Sequence, residues 1–173
     1  MNHDTYSDAY IRGILSRYRT IAMVGASANQ SRPSYFAMKY LKEKGFRVIP
    51  VNPGQAGKTI LGERVYAALE EIEEPVDIVD IFRSSDAALG VTQDAIRIGA
   101  KVVWMQLGVR NDEAARLAEQ AGLQVVMNRC PKIEYGRLSG ELGWAGVNSR
   151  RVSARRPLLG PKGMQHRVIG RAD

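Results

Sequence analysis

The sequence predicts an α/β fold, a doubly wound parallel sheet of five strands with helices on both faces. Short apolar, β-branched runs alternate with helical spacing five times, and the connecting segments are long enough for crossovers. The first run ends in glycine and a loop of small and polar residues before a proline that opens a helix. Right-handed crossovers then make the strands parallel, and the pattern suggests the strand order 3-2-1-4-5.

In chain order, Tyr10, Ile11, Ile14, Leu15 and Tyr18 fall on one face of a helix over 8–18, laid against the sheet. The first strand is 20–24. The next helix, 34–44, turns Phe36, Ala37, Tyr40 and Leu41 inward and stops at Gly45. Strand two, 46–51, ends at Asn52-Pro53-Gly54, and a loop over 54–62 leads to a short helix over 66–72. Strand three is 75–82, after which Ser84 or Ser85 can cap a helix carrying Ala88, Val91, Ala95, Ile96 and Ile98. Strand four, 101–105, includes Trp104 as a core residue. Asn111 caps a helix over 113–120, and strand five is 123–127. The pattern fails after Gly136.

The stretch from Ile21 to Ser34 has the form of an anion site. Gly25 permits a sharp turn, the amides beyond it can point at a ligand, and the helix opened by Pro33 adds a partial positive charge. The full glycine-rich dinucleotide fingerprint is missing, since Ser27 and Gln30 stand at its second and third glycine positions. Strand two ends in Val51-Asn52-Pro53 with no carboxylate for ribose hydroxyls, which disfavours NAD more than NADP, and no Walker-type phosphate loop occurs.

Ligands of such sheets lie beyond the carboxyl ends of the strands. Those ends here are Gly25-Ala26-Ser27, Asn52-Pro53, Phe82-Arg83, Gln106-Leu107-Gly108 and Asn128-Arg129-Cys130. They offer a hydroxyl, amides, an aromatic ring, two guanidinium groups and a thiol, a set suited to a phosphorylated ligand with an apolar or heterocyclic part. Arg32 and Arg83 are placed either to meet phosphate or to remain surface arginines. Cys130 is either a packed strand-end cysteine or a thiol at the mouth of the site, where Arg129 and Lys132 can favour thiolate. Glu134 is one carboxylate near that mouth. The two histidines, His3 and His166, lie in the terminal segments, so no catalytic base stands beside a nucleophile.

A single cysteine excludes an intrachain disulfide, and no Cys/His cluster has metal-ligand spacing. The apolar runs fall far short of the ~20 residues of a membrane span, and no leader pattern opens the chain, which predicts a soluble, cytoplasmic protein with no membrane partner. Of the net charge of +7, +6 falls on residues 137–173, where eight Lys or Arg face two Asp or Glu, leaving +1 for the body. Only Arg150-Arg151 and Arg155-Arg156 are clustered, with no interleaved aromatic residue, which argues for a solvated or docked tail over a nucleic-acid arm. Leu142, Trp144, Leu158 and Leu159 can pin that tail to the body, to another copy in a homo-oligomer or to a protein partner.

Together, Val24-Gly25-Ala26-Ser27 with Arg32-Pro33-Ser34, the run from Ile49 to Pro53, Ile60 to Glu63, Asp80 to Arg83, Val103 to Gly108 and Asn128 to Glu134 carry a family likeness. Over residues 18–138 the sequence resembles the stand-alone coenzyme A-binding proteins of bacteria and archaea, whose Rossmann-like domain is shared with the N-terminal part of the succinyl-CoA synthetase alpha subunit and with ADP-forming acyl-CoA synthetases. The resemblance implies a CoA-binding domain over 1–138, followed by a basic extension over 139–173. It also implies bound coenzyme A, free or acylated. Gly25, Ala26 and Ser27, with Arg32 and Ser34, would lie on the pyrophosphate side, and Val51, Asn52 and Pro53 at the adenosine end. Phe82 and Arg83 would line the nucleotide, and Gln106, Leu107 and Gly108 would approach the pantetheine, with Cys130 in the turn beyond. Gln55 stands where the ligases carry a lysine after their second strand, with Lys58 three residues on. The ligases use a phosphohistidine and a second domain, so the expectation is a binding protein with no catalytic machinery of its own. The alternatives are an NADP-binding oxidoreductase-type domain and a module binding RNA or a partner through the tail.

Overall fold

In the computed structural model, which describes residues 1–141, the apolar runs pair as five parallel strands: β1 (Thr20–Val24), β2 (Arg47–Val51), β5 (Ile78–Ile81), β6 (Val102–Met105) and β7 (Gln124–Val126). A small antiparallel hairpin, β3 (Thr59–Ile60) and β4 (Glu63–Arg64), lies between β2 and β5 in the chain. Alternation along the strands sends side chains to two cores. Ile21, Met23, Ile78, Val102 and Trp104 pack with α1 (Asp8–Arg17), α2 (Pro33–Glu43) and α5 (Pro131–Ser139). Ala22, Val79, Ile81, Val103 and Met105 pack with α3 (Ala88–Arg97) and α4 (Asp112–Gln120). The α/β class and the helices on both faces are therefore as the sequence predicts.

The strand order is not. The sheet runs β2-β1-β5-β6-β7, so the third sheet strand lies against the first on the side away from the second, in place of the expected 3-2-1-4-5. Pro50 supplies the reason. Its carbonyl accepts from Tyr66 N (3.0 Å) on the outer side of β2, and its own nitrogen has no hydrogen to offer there. A strand inside the sheet needs donors on both sides, so β2 is confined to the edge. Tyr66 covers that edge by a single bridge, its carbonyl accepting from Asn52 N (2.9 Å).

The opposite edge is closed by side chains. The Tyr10 hydroxyl donates to Val125 O (3.1 Å) and accepts from Val125 N (3.2 Å), while the Tyr6 hydroxyl accepts from Met127 N (2.8 Å). The two rings stack with centroids 5.8 Å apart.

Local signals hold unevenly. Asn111 caps α4, accepting from Ala114 N (2.8 Å), as expected. Ser84 and Ser85 do not cap α3, whose N-cap is Ala87. Ser85 Oγ accepts instead from Arg110 N (3.1 Å), tying the loop after β5 to the loop after β6. The short helix expected over 66–72 contracts to a 3-10 turn at Leu69–Glu71. The sequence pattern does not predict α5. Glu141, just beyond it, accepts from the Tyr40 hydroxyl (2.7 Å) and Lys44 Nζ (2.5 Å), anchoring the end of the described chain on α2. The rest of the basic extension, with Trp144, the arginine pairs and His166, lies outside the described residues. No helix among the described residues is long and apolar enough to cross a membrane.

Candidate functional site

The order of the sheet reverses between β1 and β5, and the crevice at such a switch point is where open parallel sheets hold ligands. The two strand ends are locked together there. Phe82 N donates to Val24 O (2.8 Å), and Gly25 N donates to Val51 O (2.9 Å), so the loop after β1 is held from both sides. Gly25 has φ +90°, and a Cβ on it would fall 2.3 Å from the Phe82 carbonyl oxygen. Only glycine fits this crossing.

Beyond Gly25 the loop is shaped by side-chain amides. Asn52 Nδ2 donates to Ala26 O (2.8 Å) while Asn52 Oδ1 accepts from Gly54 N (2.9 Å). Gln55 Oε1 accepts from Ala28 N (3.1 Å), so the residue at the ligases' lysine position supports the loop. Ser27 Oγ accepts from Asn29 N (3.1 Å). α2 then begins at Pro33, and Arg32 at its N-cap makes no side-chain capping bond; in the first turn Pro33 has no N–H and Tyr35 N donates to the Arg32 carbonyl (3.0 Å). A cavity of about 310 Å³ opens here, lined by Gly25, Ser27, Arg32, Pro33, Ser34 and Phe82.

A second cavity of about 610 Å³ lies between the N-terminal ends of α2 and α5 and shares Pro33 and Phe82 with the first. Its walls include Phe36 from α2, Arg83 after β5, Gln106 and Leu107 after β6, and Cys130 and Ile133 at the start of α5. Gln106 is buried, and its Nε2 donates to both carboxyl oxygens of Asp80 (2.9 and 3.0 Å). Asp80 is fully buried in β5, and burial pushes its pKa up to about 8 despite that bond. Burial likewise pushes the Cys130 thiol up, with the Ile133 and Lys132 amides and the Lys132 charge pulling the other way.

The thiolate-favouring role considered for Arg129 is not supported. Its guanidinium donates to Asn128 O (2.8 Å) and Asp4 O (3.3 Å) and lies 5.7 Å from the Tyr6 ring centre, turned to the N-terminal segment. Glu134 is likewise taken up by Arg137 (2.7 Å).

Of the residues singled out in the sequence, Gly25, Ser27, Arg32, Ser34, Phe82, Arg83, Gln106, Leu107 and Cys130 line this double cavity. Ala26, Val51, Asn52, Pro53 and Gly108 do not. Ala26 and Val51 are buried, Asn52 braces the loop from behind, and Gly108 N donates to Asn128 Oδ1 (2.8 Å). Phe36, expected in the core, is 52% exposed and forms a wall, because the buried stripe of α2 is Ser34, Ala37, Met38 and Leu41. Ile133 escapes sequence reasoning along with its helix, although Pro131 at the first helical position is the available signal.

Residues 19–136 match the sequence profile described as a CoA binding domain. The chain belongs to the CoA-binding domain family. This CoA-binding domain is 36% identical over 129 residues to the uncharacterized protein YneT of Bacillus subtilis strain 168, a match covering 75% of this chain and 94% of that protein. A hypothetical protein from Pyrococcus horikoshii OT3 superposes with a TM-score of 0.74 at 40% identity, over 80% of this chain and 96% of the other. The dinucleotide forming acetyl-coenzyme A synthetase 1 of Ca. Korarchaeum cryptofilum, in complex with phosphate and ADP, gives a TM-score of 0.58 at 27% identity. That match covers 66% of this chain and 26% of the synthetase. The resemblance read from the motifs is thus borne out for family and fold.

Proposed function

We propose that the protein binds coenzyme A or an acyl-CoA along the joined cavities and has no catalytic machinery of its own. The observation that carries this reading is the contiguity of two unlike compartments at Pro33 and Phe82, one at a helix N-terminus and one largely apolar. The pyrophosphate belongs at Gly25 and Ser27, where the positive end of the α2 dipole and the guanidinium groups of Arg32 and Arg83 favour an anion. The adenosine end leaves the smaller cavity toward the loop after β2, where residues 51–53 offer no carboxylate of the kind that NAD would use. The pantetheine crosses Phe82 to Gln106 and Leu107, and its sulfur ends near Cys130. Two features support a binding role over catalysis. Among the described residues lining the cavities there is no histidine, aspartate or glutamate, and the Cys130 thiol is shifted toward its protonated form. A cytoplasmic location goes with this reading.

Titration calorimetry and thermal shift with CoA, acetyl-CoA, NADP and NAD test it. CoA is expected to raise the melting temperature by mass action, and Arg83→Ala is expected to weaken CoA binding about tenfold or more. A shift with NADP and none with CoA overturns the reading in favour of an oxidoreductase-type domain.

A further inference from the structure

Among the described residues, four large hydrophobic side chains are exposed, and three of them converge. Phe36 (52% exposed) comes from α2, Leu107 (56%) from the turn after β6 and Ile133 (42%) from α5, yet all three line the 610 Å³ cavity. The fourth is Met1. Scattered exposed apolar residues need no explanation, but three from separate elements around one opening mark a binding surface.

Free CoA gives this rim little to hold. Its pantetheine arm is punctuated by two amides, which need polar partners, and Ser31, Arg83, Gln106 and Lys132 are the polar residues of this wall, with Gln106 Nε2 held by Asp80. Phe36, Leu107 and Ile133 add exposed hydrocarbon between them. With the pyrophosphate in the smaller cavity, the pantetheine along Leu107 and the sulfur near Cys130, the group that the sulfur carries meets Phe36 and Ile133 and the far side of Leu107.

We infer that the physiological ligand is a thioester of CoA with an apolar acyl chain, whose hydrocarbon lies on the Phe36, Leu107 and Ile133 rim. The inference rests on the CoA-binding reading. The occupant is argued from continuity, because the rim belongs to the same cavity system as the phosphate loop and shares Pro33 and Phe82 with it.

The test is calorimetric titration of the full chain with CoA and with acetyl-, butanoyl-, hexanoyl- and octanoyl-CoA below their micelle concentrations. Full burial of one methylene corresponds to a factor of ~4 in affinity, so the expected Kd tightens by about two- to fourfold per methylene until the chain outgrows the rim. Phe36→Ser and Ile133→Ser replace exposed side chains of the cavity wall. Each is expected to flatten the series by lowering the ratio of octanoyl-CoA to CoA affinity at least about tenfold, with an unchanged melting temperature of the free protein as the check on folding. Equal Kd for CoA and octanoyl-CoA overturns the acyl inference and leaves CoA binding standing. Binding of neither overturns the CoA reading itself. A flat series together with a dimer by sedimentation that Phe36→Ser dissociates overturns the inference by making the rim an interface between copies. Loss of ADP binding in Phe36→Ser overturns it by placing the adenine there.

Discussion

Asp80 is an acid sealed into a strand, with Gln106 as its bonded neighbour and burial as the dominant influence on its charge. Its pKa in the folded protein is raised to about 8, from an ordinary value near 3.8. Below about pH 4 the carboxyl is protonated in folded and unfolded chains alike. Between that pH and about 8 the unfolded chain releases a proton that the folded one keeps, so stability falls as pH rises and levels off above. Asp80→Asn has no proton to release. Urea denaturation at pH 5, 6.5 and 8 is therefore expected to show the variant gaining on the wild type, with a slope approaching about 1.4 kcal/mol per pH unit. A difference independent of pH rejects a neutral Asp80. At this same scale the sequence is partly legible. Gly25 can be picked out because it closes an apolar run before a loop of small and polar residues, and the Phe82 carbonyl beside it explains why, whereas nothing in a β-rich run from Val76 to Phe82 distinguishes a buried Asp80 from an exposed one.

Among the elements, the loop from β1 to α2 depends on the residues after β2. Asn52 supplies a donor to Ala26 O and an acceptor to Gly54 N, and both bonds go in Asn52→Ala. Losing them is expected to cost about 1–3 kcal/mol, seen as a lower melting temperature, and to weaken CoA binding about tenfold as the loop loses its brace. A lowered melting temperature with an unchanged Kd shows instead that the loop keeps its shape without Asn52. Helices α1 and α3 can be read from an apolar stripe, α2 from a stripe closed by Gly45 and α4 from its Asn111 cap. α5 cannot be read from periodicity, since Gly136 interrupts it and charged residues are spread along it, and only Pro131 at its start marks it. Phe36 misleads for a related reason. Its helix buries a small face, Ser34 and Ala37 with Met38 and Leu41, and an aromatic one step away looks like core until the neighbouring cavity is known.

For the whole molecule, the strand order decides which loops become neighbours. Had β5 paired outside β2, the loop after β1 would have faced Gln106, and Phe82 and Arg83 would have been remote from Gly25. The observed order puts Phe82 in contact with Gly25 and makes it the shared wall of both cavities. The sequence holds the necessary clue in Pro50, whose missing donor is tolerable only at an edge. The five strands can be recognised from composition alone. Their order requires a single residue to be weighed against a pattern common to many sheets.

The tyrosines on β7 have a further consequence, for how copies of the protein behave in crowded solution. An unpaired strand edge is a template on which another chain can add, and long-term solubility depends on denying it. Here two phenols occupy the hydrogen-bonding positions of Val125 and Met127 that an incoming strand would use. Changing Tyr6 and Tyr10 together to phenylalanine keeps the stacked rings but removes both hydroxyls. The double variant is expected to melt only a few degrees lower, yet to develop turbidity and thioflavin fluorescence on warm incubation while the wild type stays clear. Clear solutions of both would show that the rings, by bulk alone, are enough to keep neighbours from zipping onto the sheet.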